Sequence, residues 1–331
     1  MATTSSECFL GIKDRKRQPD GSYIGGPMYV LEHGLGRKHM AKFYAAATIF
    51  AAYGIGCSTQ SRAFTDAAVS FGAPRIPTGI LLALLVGLVI IGGAKRIHQL
   101  CTKLVPVMGG IFLFCCTLIL LRNLPFVFPA IALMLRSAFS VRAIAAGTLS
   151  GSLMSAMRYG VARGLFTNEA GLGSASIAAA DADTDHVSEQ ALVSMTATFW
   201  DTIVMCSLTG LAILSTALAA PESLAGFSMN DLTQAAFLRL SAGGPKLLSL
   251  CLMAFAFATL VGWSYFGEKA VLYLTGDRGI YPYKTGYLVM IFLGSILSMS
   301  FIWEITDFAN LCMALPNLFA LFCLRKKVER Y

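Results

Sequence analysis

Long apolar runs separated by short polar segments account for most of the chain. Seven runs of 17 to 21 residues contain no charged side chain. Stretches of about this length cross a hydrocarbon core of ~30 Å as helices. The runs occupy residues 43–61, 76–94, 104–121, 202–221, 247–267, 285–303 and 308–324. An eighth run, residues 150–178, is interrupted by Arg158, Arg163 and Glu169. The pattern predicts about eight complete transmembrane helices.

The runs are apolar on every face, which predicts an all-α polytopic membrane protein. A transmembrane β-barrel is excluded, because its strands would be ~10 residues long and would alternate between apolar and polar positions. Composition supports this, since 56% of the residues are hydrophobic and only 13% are charged. A soluble domain of this length would need far more polar surface.

Basic residues are distributed unevenly between the two sides of these eight spans. Of the 26 Lys and Arg residues, 17 fall on the side that holds both termini and 7 on the other. Cytoplasmic loops are enriched in Lys and Arg, so both termini are predicted to be cytoplasmic. We therefore expect one transmembrane domain over 1–331, made of a helix end and cytoplasmic loop (1–42), an eight-span region (43–325) and a cytoplasmic tail (326–331).

The interrupted eighth run is the strongest candidate for a functional site. Residues 163–174 combine three glycines with Thr167, Asn168 and Glu169 where a span should be uniformly apolar. Unwound backbone at membrane depth persists where protein buries it or a cavity wets it, and secondary transporters bind substrate at such breaks. The segment predicts a non-helical, solvent-accessible break from Thr167 to Gly173. The alternative is a helix end at the membrane interface, capped by Asn168.

A second candidate lies in the run 247–267. Thr259 and Trp263 are four residues apart and share one helix face, where they would present a hydroxyl and an aromatic wall to a common cavity. The alternative is that Thr259 donates to its own i−4 carbonyl and that Trp263 belongs to the aromatic belt at the membrane surface. Periodicity alone favours the alternative.

Two further polar positions lie inside apolar runs. Gln60 forms a stripe with Tyr53 and Gly56 at helical spacing, and its amide needs hydrogen-bond partners from a ligand or, equally well, from a neighbouring helix. Asp201 is an intramembrane carboxylate and so a functional candidate. A structural ion pair with Arg158 or Arg163 explains Asp201 slightly better.

The absence of several sequence motifs disfavours some classes of function. The chain has no phosphate-binding loop and no His-Glu-x-x-His motif, which disfavours ATP-driven transport and metal-dependent enzymes. None of its nine cysteines forms a Cys-x-x-Cys pair. The net charge of +8 is typical of basic cytoplasmic loops in a membrane protein and does not indicate nucleic-acid binding. The sequence therefore predicts a secondary transporter that is not an enzyme.

Several of these segments resemble the sodium:alanine symporter family, also called alanine or glycine:cation symporters. The matching motifs, in chain order, are Gly-Gly-Pro-Met-Tyr at 25–29, Gly-Val-Ala-Arg-Gly-Leu-Phe-Thr-Asn-Glu-Ala-Gly-Leu-Gly at 160–173, Gly-Trp-Ser-Tyr at 262–265 and Met-Ala-Leu-Pro-Asn-Leu at 313–318. Because they extend over nearly the whole chain in order, the resemblance is specific.

The resemblance implies a leucine-transporter-like inverted-repeat fold in a plasma or bacterial inner membrane. It implies inward symport of alanine or glycine, with sodium as the coupling ion and no other cofactor. Phe166 and Trp263 would wall the pocket and keep the substrate small, whereas Thr259 and the backbone of Ala258 would contribute to the sodium site. The substrate-binding set would be Gln60, Phe166, Thr167, Asn168, Gly171, Thr259 and Trp263.

The chain departs from the family pattern in two ways. Ala258 replaces a serine that is common before Thr259, so one hydroxyl is missing. Met1 falls inside the second helix of the family fold, so we expect an N-terminally truncated chain without the first helix and most of the second. Such a chain is expected neither to bind nor to transport alanine alone. The alternative function is a non-transporting membrane fragment or packing subunit.

Overall fold

The computed structural model describes residues 1–19, 21–138, 167–224 and 232–328, and these form an almost entirely helical protein. The helices before residue 139 are α1 Ala2–Lys13, α2 Pro27–Tyr29, α3 Lys38–Ala51, α4 Gln60–Val69, α5 Arg75–Ile90, α6 Gly93–Arg122 and α7 Leu124–Ala138. The later helices are α8 Ser174–Ala180, α9 Val187–Thr198, α10 Ser207–Ala219, α11 Leu232–Leu238, α12 Gly244–Thr275, α13 Ile280–Ile296 and α14 Met299–Val328. A two-stranded antiparallel hairpin pairs β1 Lys16–Arg17 with β2 Tyr23–Ile24.

Wider π-helical turns join or extend several helices. One connects α3 to α4 over Ala52–Thr59, a second connects α9 to α10 over Phe199–Cys206, and a third follows α2 over Val30–Gly34. In the first, Ser58 and Thr59 donate their hydroxyls to the carbonyls five residues earlier, at 2.8 and 3.2 Å. Single π turns inside helices often occur at functional sites.

The chain divides into two compact units. The first consists of residues 1–105, 168–199 and 253–331. Within it α13 packs against α5 and the Ala52–Thr59 turn, α1 packs against α8 and α9, and α14 packs against α3. Its core contains large side chains that are fully buried, among them Trp263, Tyr44 and Tyr287.

The second unit consists of residues 106–167 and 200–252, and in it α7 packs against α10. Asn123 is 1% exposed, and its amide nitrogen donates to the hydroxyl of Thr216 at 3.1 Å. Phe112 stacks on Phe237 with ring centroids 5.9 Å apart. These contacts hold α6, α7, α10 and α11 together.

Five helical stretches within the described residues are long and apolar enough to cross a membrane. They are Lys38–Val69, Gly93–Arg122, Val187–Ala219, Gly244–Ile296 and Ile302–Val328. The stretch Gly244–Ile296 contains both α12 and α13, which a 3₁₀ turn at Gly276–Gly279 joins. The prediction of a polytopic all-α membrane protein is confirmed.

The predicted span at 76–94 is shorter in the structure. It corresponds to α5, which has 16 residues, because Pro74 is extended before it and Gly93 has a positive φ of 71° after it. Most of the predicted span at 150–178 lies in 139–166, outside the described residues. The count of eight spans therefore stays a prediction.

Candidate functional site

The predicted helix break is present between Glu169 and Gly173. Thr167 and Asn168 are helical, the next five residues are not, and α8 begins at Ser174. Glu169, Gly171 and Gly173 have positive φ values of 54°, 94° and 86°. Positive φ is uncommon for a non-glycine residue, so the structure around Glu169 holds it in a strained conformation. The break is confirmed, but its predicted start at Thr167 is wrong by two residues.

The centre of the break is buried against α1 and α14. Gly171 donates its N–H to Glu7 Oε2 at 3.2 Å and accepts a hydrogen bond on its carbonyl from Asn317 Nδ2 at 2.9 Å. Asn317 Nδ2 also donates to Glu7 Oε2 at 2.9 Å. Three segments that are distant in sequence therefore meet at one peptide unit. Because residues 171–173 are buried, the predicted solvent accessibility of the break is wrong for them.

Tyr44 on α3 holds the next residue of the break. Its hydroxyl donates to the carbonyl of Leu172 at 2.6 Å, and both side chains are 0% exposed. Gly173 leaves no room for a side chain, because an added Cβ would lie 2.7 Å from the Tyr44 hydroxyl and 3.1 Å from Cγ of Asn317. A glycine is required there for both its backbone conformation and its size.

The Glu169 side chain connects the break to α12. Its Oε1 accepts a hydrogen bond from the Trp263 indole nitrogen at 3.0 Å, and its Oε2 accepts one from the Ser174 hydroxyl. Trp263 is 2% exposed and makes an edge-to-face contact with Phe266, with centroids 5.5 Å apart. The carboxyl group therefore fixes both the orientation of the indole and the first turn of α8.

Trp263 also packs directly on Gly56, in the π-helical turn between α3 and α4. An added Cβ at Gly56 would overlap Cβ of Trp263 and lie 2.9 Å from Cδ2 of its indole. The π-helical turn and α12, which the sequence singled out separately, are therefore in contact. Glu169 connects α12 to the break. Trp263 is the side chain at which they meet.

Thr259 lies one turn before Trp263 on α12. Its hydroxyl donates to the Phe255 carbonyl, the i−4 position, at 2.9 Å, as the alternative interpretation predicts. With the hydroxyl hydrogen used in this way, the oxygen lone pairs are the part of Thr259 that can accept a donor or ligate a cation. Ala258 is 7% exposed.

Gln60 is half-buried and opens α4 directly after the π-helical turn. Because residues 52–59 have more residues per turn than an α-helix, the predicted α-helical stripe of Tyr53, Gly56 and Gln60 is wrong in its spacing. Gly56 faces α12, whereas Tyr53 donates its hydroxyl to the Tyr283 carbonyl on α13 at 3.2 Å. The structure places Gln60 four residues beyond the contact with Trp263.

The other predicted residues are placed as follows. Asn168 Oδ1 accepts the Ala170 N–H at 3.2 Å, so it helps to shape the break. Thr167 is exposed, and Asp201 is half-buried with its carboxylate 3.5 Å from the Thr202 hydroxyl. Phe166 lies outside the described residues, as do Arg158 and Arg163, which were proposed as partners of Asp201.

Sequence reasoning did not single out Glu7, Tyr44 or Asn317. Asn317 is an amide in an apolar run next to Pro316, which is a usable signal, since a buried amide needs partners. Glu7 sits in a polar segment, Thr3 to Glu7, which is typical of a solvated helix start. Nothing local indicates that Glu7 is 2% exposed.

Comparison with known proteins shows the family to which this sequence is similar. Residues 1–331 match the sodium:alanine symporter family. The sodium/alanine symporter AgcS of Methanococcus maripaludis is 42% identical over 330 residues, which are 98% of this chain and 72% of that protein. An uncharacterized transporter of Haemophilus influenzae is also 42% identical, over 99% of this chain and 72% of its own length.

A probable sodium/glutamine symporter, GlnT of Bacillus subtilis, is 32% identical over 92% of this chain and 63% of its own length. The family match begins at residue 1, and it gives no support to the expected N-terminal truncation. The extent of the match and the identity to these relatives show that the chain belongs to the sodium:alanine symporter family.

Proposed function

We propose that this protein is a cation-coupled symporter that moves a small neutral amino acid, alanine or glycine, into the cell with sodium. The observation that carries the proposal is the break at residues 169–173, held by side chains from α1, α3, α12 and α14. Family membership and the name of the sodium/alanine symporter from M. maripaludis support the same class of function.

A broken helix of this kind would supply the chemistry that an amino-acid substrate needs. A zwitterion requires donors for its carboxylate and acceptors for its ammonium group, and interrupted helices expose backbone N–H and C=O groups of both kinds. In the leucine-transporter-like inverted-repeat fold that we propose, Gly171, Asn168 and Thr167 contribute the broken helix, and Gln60 contributes an amide from α4. These assignments are part of the proposal.

Trp263 would limit substrate size. The indole is buried, its nitrogen is bonded to Glu169, and Gly56 supports its Cβ, so it is a rigid wall. Phe166 would form a second wall. Thr259, with its hydrogen committed to Phe255, would offer oxygen lone pairs to sodium together with the Ala258 carbonyl. Hard cations such as sodium require several oxygen ligands, so this pair would be part of a larger shell.

The proposed orientation of the protein in the membrane follows from the distribution of its basic residues. Both termini would be cytoplasmic, with the hairpin β1–β2 on the same side. The multi-pass character itself is supported by the five long apolar stretches.

Uptake by reconstituted protein tests the proposal. Labelled alanine should accumulate in proteoliposomes under an inward sodium gradient and should not accumulate when the gradient is collapsed. Trp263→Ala should admit a larger neutral amino acid such as methionine, because a pocket wall discriminates by roughly 1–3 kcal/mol per excluded methylene group.

Trp200→Ala is the matched control, since Trp200 is 56% exposed and its removal should leave selectivity unchanged. No sodium-dependent uptake by properly folded native protein would favour the non-transporting membrane subunit. Unchanged selectivity of Trp263→Ala would remove Trp263 from the pocket.

A further inference from the structure

A buried carboxyl group that has no counter-ion among the described residues lies at the junction of α1 and the break. Glu7 is 2% exposed, and its Oε2 accepts hydrogen bonds from the Gly171 N–H and from Asn317 Nδ2. Its Oε1 is also buried and makes no hydrogen bond with the described residues, and the Gly173 N–H is a further donor beside the carboxyl group. Oε2 therefore accepts two hydrogen bonds, whereas Oε1 accepts none from the described residues.

In the part of the chain that the structure describes, the groups around Glu7 are negative or neutral. Within the described ranges, the ion pairs at 4.0 Å or less involve other acidic residues, at positions 32, 66, 181 and 268. The titratable groups that face Glu7 are Glu169 from the break, Tyr44 from α3 and Cys8 from α1 itself. Asn317 is the polar group that reaches it from α14. None of these provides a positive charge.

An ionised carboxylate in this position is unfavourable. Removing a charge from water is costly, and an isolated buried acid becomes neutral by taking up a proton. The two hydrogen bonds to Oε2 remain possible in the neutral acid, because its carbonyl oxygen accepts both. The orphan oxygen then carries the hydroxyl group, and the cost of leaving it unpaired falls from that of a charge to that of a neutral polar atom.

From this geometry we propose that Glu7 is a proton-binding site, occupied while the break is docked on α1 and emptied when the break moves away. Proton uptake joins one proton from water to the carboxylate and makes the docked state electrically neutral. The occupant of the site is a proton, and its release would leave a buried charge in the docked state, which favours movement of the break away from α1.

The test is the thermal stability of the full chain, purified in detergent, between about pH 5 and about pH 9. Glu7→Gln imitates the protonated acid, because it keeps an acceptor oxygen for Gly171 and Asn317 and is neutral at every pH. Glutamate in an unfolded chain ionises near pH ~4.3. If the folded protein keeps Glu7 neutral above that value, native stability decreases as the pH rises, whereas the variant has no such loss.

The difference in Tm between Glu7→Gln and the native protein should be near zero at about pH 5 and should increase steadily in favour of the variant towards pH 9. Glu189→Gln is the control, because Glu189 is exposed. The difference in Tm between this variant and the native protein should not change with pH. A flat difference for Glu7→Gln would overturn the proposal. A Tm difference that shifts against the variant as the pH rises would also overturn it, since that result means that Glu7 is ionised in the folded protein.

Alanine uptake gives a second readout. In proteoliposomes the native protein should show a pH-dependent rate, and Glu7→Gln should lose that dependence. The melting experiment does not require transport, so a failure of the proposed symport activity and a failure of the proton site give different results.

Discussion

Replacing Gly56 by alanine tests the contact that joins the π-helical turn to α12. The added methyl group would overlap Cβ of Trp263 and lie 2.9 Å from its Cδ2. Normal contact between carbon atoms is ~3.5–4.0 Å, so relieving the overlap with Cβ would require the two helices to separate by more than ~1 Å. Trp263 cannot rotate away easily, because it is 2% exposed and its indole nitrogen is bonded to Glu169.

Two opposing effects set the expected loss of stability. Overpacking a close contact costs typically ~1–3 kcal/mol, and the contact here is at the severe end of that range. Replacing glycine by alanine in a helix returns ~1 kcal/mol through propensity. We therefore expect Gly56→Ala to lose about 2 kcal/mol of stability.

Gly262 provides a matched control for this substitution. It is adjacent to Trp263 on α12, and an added Cβ there would meet no atom within 4 Å. Gly262→Ala should therefore be neutral or gain about 0.4–1 kcal/mol. The same chemical change, next to the same tryptophan, should have opposite signs at the two positions.

Thermal unfolding of the purified protein in detergent, followed by tryptophan fluorescence, measures both variants. In proteoliposomes Gly56→Ala should also raise the KM for alanine, because it displaces the proposed pocket wall. A Gly56→Ala protein as stable as Gly262→Ala would refute the close packing of Trp263 on this turn.

Two further predictions concern contacts around the break and α1. Tyr44→Phe should lose about 1–3 kcal/mol, because the buried carbonyl of Leu172 is left without the tyrosine hydroxyl; chemical unfolding measures this loss, and an unchanged midpoint would contradict it. Burial raises the pKa of Asp14, with Lys327 the largest opposing charge, so native stability should decrease as the pH rises through the folded pKa. Asp14→Asn should remove this decrease in a Tm series over pH, and parallel curves for the two proteins would show that the carboxyl group does not titrate differently on folding.

The class of the protein and most of its helices can be predicted from the amino-acid sequence. Uncharged runs of about twenty residues cannot remain in water, and only helices satisfy their own backbone in lipid, so 43–61, 104–121 and 308–324 could be assigned without a structure. The helix break was also predictable, because glycines and polar side chains between 167 and 173 oppose a continuous helix. The resemblance to the family added the proposed substrate class and the proposed role of Trp263 as a pocket wall.

Tertiary structure decided which of these segments meet. Hydrophobic periodicity is a local property, whereas the contacts of Trp263 with Glu169 and Gly56 join positions 94 and 207 residues apart. The π-helical turn that aims Gly56 at α12 has no signature in the apolar pattern.

Glu7 is the clearest example of a residue whose burial depends on segments that are distant in sequence. The four residues before it are polar, and the groups that bury it include Gly171 and Asn317, which lie 164 and 310 residues away. Burial depends on how distant segments pack, and so does the electrostatic cost of a charge. For this reason the sequence predicted where the chain breaks, and only the folded protein showed which side chains hold the break in place.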